Sequence, residues 1–121
     1  MAYKQQSNNE MTIYIKTKDL IDYTFNITEN KNFPKKARFV FVNRIQNIVL
    51  DIYSILLKVN EIPISDRKAL LIEALSNIKT LLFLIELCLK QKYINFHQCE
   101  VWSKHCLNVK YLTAAWLKKC K

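Results

Sequence analysis

His97, Cys99, His105 and Cys106 are the side chains best suited to bind a metal or move a proton, and they fall within ten residues of one another. Their spacing is not that of a zinc finger. Cys99 and Cys106 are seven apart, and Cys120 falls in the same register. That is the spacing of small, buried thiols along one helix face. A di-iron bundle needs Glu-x-x-His pairs. Ile94 stands three residues before His97 and Trp102 three before His105, so that site is excluded. Without glycine there is no phosphate-binding loop, and four cysteines with no secretory signal imply no disulfide framework. We therefore expect no metal and no cofactor.

A proton-transfer reading fares no better. All-helical ribonucleases of the higher-eukaryote and prokaryote nucleotide-binding class pair an arginine with a histidine four to six residues later. Arg38, Arg44 and Arg67 all lie well before His97, and Lys92 repeats the spacing without the guanidinium. The chain is not expected to be an enzyme. Trp102 and Trp116 have faces that bases stack on, but their positions on a helical seam assign them to the core.

What remains is charge. The chain carries 19 basic and 10 acidic residues, net +9, with an isoelectric point near 9.5. Such a balance favours polyanions. Lys35, Lys36, Arg38 and Arg44 load the first turns of a long helix, where the dipole is already positive and a cation gains nothing from it. They either solvate the surface or serve a partner.

The elements that position these residues are helical. Half of the 121 residues are hydrophobic and none is glycine, a composition easily met by long helices with short connections. After an N-terminal arm over 1–16, in which Thr12 to Ile15 reads as extended or as an early helical turn, the pattern predicts helices at about 17–30, 34–60, 66–91 and 95–119 in one domain. Thr17 or Asp19 caps the first, in which Leu20, Tyr23 and Ile27 face inward. Pro34 opens the second, along which Phe41, Ile45, Ile48, Ile52, Ile55 and Val59 alternate at steps of four and three. Pro63 breaks it and Ser65 caps the third, whose two adjacent apolar seams suggest the most central helix. Asn95 caps the fourth, with Cys99, Trp102, Cys106, Val109, Thr113, Trp116 and Cys120 as its seam.

Four such helices read as an all-α, up-down-up-down bundle. That topology places the first and third junctions at one end, which gathers Lys31, Lys35, Lys36, Arg38, Lys90 and Lys92 with Glu29 the nearby acid. On the second helix Leu50, Tyr53 and Leu57 form a further apolar stripe facing outward, the expected interface of a homo-oligomer. No secretory signal is visible at the start, and Leu70 to Leu89 carries three charges, so a soluble, cytoplasmic chain without a membrane span is expected.

Phe33-Pro34-Lys35-Lys36, Arg38-Phe39, Arg44-Ile45 and Ile52-Tyr53 resemble the signature of the four-helix accessory proteins of diversity-generating retroelements, the accessory variability determinants. Leu112 to Lys119 is similar to the Leu-Gly-Gly-Trp-Leu-Lys ending of that group. The related intervening-sequence proteins of ribosomal RNA share the fold and the Phe-Pro-Lys stretch. The resemblance covers about residues 17–119. It implies a barrel-like homopentamer that binds a reverse transcriptase and nucleic acid, RNA or DNA, during mutagenic copying of a template RNA. It implies no catalytic residue, and it matches Lys35, Lys36, Arg38 and Arg44 to the family's basic motif. Ala37 stands where an acidic residue is usual, and Ala114-Ala115 where two glycines are.

Overall fold

The computed structural model describes residues 8–120. Four long helices form the chain: α1 (Asn8–Thr28), α2 (Lys35–Glu61), α3 (Ile64–Lys90) and α4 (Phe96–Lys119). No strand occurs among the described residues. Each helix packs on its neighbours in sequence, and α1 closes on α4. The first pair runs antiparallel, because Tyr14 near the start of α1 donates to the carbonyl of Leu56, whereas Thr28 at its end meets Gln46. The result is an all-helical four-helix bundle.

The buried side chains of all four helices form one core. α4 supplies Trp102, Cys106, Val109, Thr113 and Trp116 from its seven-residue repeat. Asn95 caps that helix in a reciprocal box with Gln98, so two end N–H groups are satisfied at once. Cys88, Cys106 and Cys120 are buried and Cys99 is half-buried. Burial, with Cys99 as a lesser contributor, pushes Cys88 up to about 12, and burial also raises Cys106.

Three expectations are corrected. Residues 8–16, expected as part of an arm, belong to α1. Ile13 is buried there, and Thr17, expected as a cap, is a core residue whose hydroxyl donates to the Ile13 carbonyl at 2.6 Å. This bond spends the hydroxyl within the helix, so threonine packs as an apolar side chain would. Ser65 does not cap α3, whose N-cap is Pro63 without a side-chain bond. α3 packs on α2 and α4, and its Ile72 and Phe83 lie on the exposed side.

α2 is not a regular helix. Arg38–Val42 forms a π turn, in which the N–H of Asn43 reaches the carbonyl of Arg38 five residues back. The inserted residue lets Ala37 and Val42, five apart, both face the core. Val42 thereby takes the core position expected of Phe41, which is half-buried against Tyr93 with ring centroids 5.9 Å apart. By length and composition α2 is also, among the described residues, the one helix apolar enough to cross a membrane. Its Ile45, Val49, Ile52 and Leu56 are buried in the bundle core.

Candidate nucleic-acid interface

Aromatic packing joins the two junctions at one bundle end. Phe33, in the turn before α2, is buried against Tyr93 at 5.3 Å, and Phe41 meets the same ring edge-on. The turn carrying Lys31, the start of α2 carrying Lys35 and Lys36, and the junction carrying Lys92 are thereby held together. Lys31, Lys35, Lys36, Arg44, Lys90 and Lys92 are all exposed, and none of them forms an ion pair among the described residues.

Arg38 differs from the other cations. Its guanidinium donates to the carbonyls of Thr28, Glu29 and Asn30 at 3.2–3.5 Å and to the Glu29 carboxylate at 3.5 Å. These acceptors lie at and just beyond the C-terminus of α1, where the dipole favours a cation, and the Asn30 carbonyl also accepts from the N–H of Phe33 at 3.2 Å. The expectation that folding leaves this charge unexplained is thus corrected: Arg38 gains nothing from its own helix but closes the end of the preceding one. Gln46 supports the same corner by donating to Thr28 Oγ1 at 3.0 Å and to Glu29 at 3.4 Å. α1 has no glycine C-cap; backbone N–H groups of Glu29 and Asn30 take the Phe25 and Ile27 carbonyls, and side chains of α2 take up the rest of its end.

Lys90 lies in the last turn of α3, where a cation suits the dipole. Lys92 holds the left-handed position of that helix's end, at φ 64°. Around it the N–H of Tyr93 bonds the Cys88 carbonyl at 2.9 Å and its own N–H bonds that of Leu89 at 3.0 Å. This pair of bonds is the Schellman arrangement, whose left-handed residue is usually glycine. Folding therefore gives no reason for lysine at 92, nor for Lys31, Lys35, Lys36 or Arg44.

Beside the π turn lies an open cleft of about 490 Å³ lined by Glu29, Lys35, Arg38, Phe39, Asn43 and Gln46. Phe39 is 85% exposed and Val40 72%. Both fall outside the apolar seam that begins at Phe41.

The expected oligomer stripe is altered. Leu50 and Leu57 are exposed, but Tyr53 is half-buried with its ring edge-on to Tyr14 at 6.2 Å. That side chain braces α1 against α2.

A family model described as bAvd-like matches residues 11–120. The chain belongs to the bAvd-like family. No curated protein and no solved structure matches it. The family agrees with the resemblance read from the Phe33-to-Tyr53 motif. In this bAvd-like chain part of that motif is architectural: Phe33 and Ala37 are buried and Arg38 closes α1. Ala37, standing where an acid is usual, adjusts packing as well as charge. Of the two alanines in place of glycines, Ala114 is half-buried and Ala115 exposed.

Proposed function

We propose that this bAvd-like protein is a retroelement accessory factor, without catalysis of its own, that binds a reverse transcriptase and nucleic acid in the cytoplasm. Its role is to hold template RNA or cDNA near the polymerase through phosphate contacts, as part of a ring-like homo-oligomer of five chains. The observation that carries this reading is one bundle end where Lys31, Lys35, Lys36, Arg44 and Lys92 are exposed with no carboxylate partner among the described residues and no folding role. Lysines and arginines of that kind displace condensed counterions from a phosphate backbone, which supplies affinity without sequence preference. Family membership supports the reading, since the resembling accessory proteins act beside a reverse transcriptase.

The test is salt dependence. Single-strand binding should weaken with a log–log slope of roughly −0.7 per phosphate contacted. Replacing Lys35, Lys36 and Arg44 by glutamate should remove three contacts and flatten the slope by about 2. Arg38 is left in place because its reversal would open the end of α1. An unchanged slope would eliminate this patch. A wild-type chain that binds no nucleic acid near physiological salt would leave a protein-only scaffold.

A further inference from the structure

We propose that Phe39 is a stacking platform for an unpaired base, and that the nucleic acid bound at this end is single-stranded. This rests on the nucleic-acid reading above and specifies its substrate class. Phe39 is the most exposed large apolar side chain among the described residues, at 85%. It is not a stray surface residue on a regular helix. It sits inside the π turn between buried Ala37 and Val42, and both Phe39 and Val40 face solvent. The backbone beneath is held from two sides. Arg38 is tied to the end of α1, and Phe41 is packed on Tyr93. A held backbone suits a stacking residue, because little main-chain freedom is then lost on binding.

The surroundings select the occupant. Lys35 and Lys36 precede Phe39 by four and three residues and are exposed, so they share its side of the helix. Asn43 follows by four, and its side-chain oxygen accepts from Asn47 at 3.4 Å. Lys35, Phe39 and Asn43 line the same cleft. Cations beside an open ring and an amide combine phosphate attraction, a π face and a hydrogen-bonding group. Proteins that follow single strands use this combination. The acid on the cleft wall, Glu29, is matched by Arg38 and Gln46 and does not cancel the lysines. A duplex stacks its base faces internally and offers none to a phenyl ring, whereas an unpaired strand presents every base.

The experiment titrates the full chain against RNA and DNA single strands bearing 2-aminopurine, and against duplexes of equal length, at one moderate salt concentration. Phe39→Ala should weaken single-strand binding roughly five- to a hundredfold. It should abolish the fluorescence quench, while duplex affinity and the salt slope stay unchanged. Phe39→Trp should restore both quench and affinity. Thermal unfolding should not move for either variant, because the ring is outside the core. Equal losses on single strands and duplexes, or none on either, would overturn the stacking role. If Phe39→Ala is silent while Lys35→Glu with Lys36→Glu weakens binding, the phosphate reading survives and this one falls. If the wild-type chain binds none of the oligonucleotides, both fall, and Phe39 with Val40 becomes a contact for a protein partner.

Discussion

The indole N–H of fully buried Trp102 donates to the hydroxyl of Thr24, also fully buried, at 2.9 Å. The core therefore contains a polar pair whose members satisfy each other. Replacing Thr24 by valine keeps the volume but strands the indole donor. A buried donor without a partner costs about 1–3 kcal/mol. Urea unfolding of Thr24→Val should show a loss of that size, and Thr24→Val with Trp102→Phe should lose less than the sum of the single changes. Additive losses would mean that the bond contributes nothing beyond packing. The two residues also mark what single positions disclose. Trp102 was legible as core from its helical register. Thr24 falls beside the stripe of Leu20, Tyr23 and Ile27 and Thr17 reads as a cap, because a threonine's polarity hides how well its hydroxyl can be used internally. Arg38 was legible as a cation but not as a cap, since its acceptors lie on another helix.

Among the elements, the helices themselves were legible and their irregularities were not. The apolar repeats of α3 and α4 located both within a residue or two, because repeated burial leaves a periodic trace. The π turn leaves none: it shifts the register of α2 by one residue over Arg38–Val42, and Phe41 and Val42 are equally apolar candidates for the core. Where α3 ends was legible, but how it ends was not. Its left-handed residue is a lysine, Lys92, where the conformation favours glycine. A left-handed non-glycine residue costs roughly 1–2 kcal/mol, of which glycine's larger unfolded-state entropy returns part. Lys92→Gly should accordingly raise stability by about 0.5–1 kcal/mol in a denaturant titration, whereas Lys92→Ala should not. If the charge at 92 serves phosphate binding, the same glycine variant should lose affinity for single strands while gaining stability. A variant that gains stability and keeps its affinity would remove Lys92 from the proposed interface.

At the scale of the whole molecule, charge and apolar surface oppose each other. Each chain carries net +9, so five chains carry 5 × 9 = 45 positive charges. Bringing them into a ring is opposed by self-repulsion that added salt or bound polyanion would relieve. The attraction available includes Leu50 and Leu57, which are 46% and 44% exposed on α2. Tyr53 adds less than the sequence pattern promised, because it is already engaged with Tyr14. This balance sets an expectation that phosphate binding alone does not share: salt should weaken nucleic-acid binding but strengthen assembly. Light scattering should therefore report a mass rising with ionic strength towards 5 × 14.4 = 72 kDa. Leu50→Asp with Leu57→Asp should hold the mass near 14.4 kDa at every salt concentration. Each aspartate would place an unpaired charge in the contact, which is costlier than the lost apolar area. A wild-type mass near 14.4 kDa throughout would instead leave the two leucines free for another partner. A mass that falls as salt rises would mean that the chains associate through their charges rather than through this stripe.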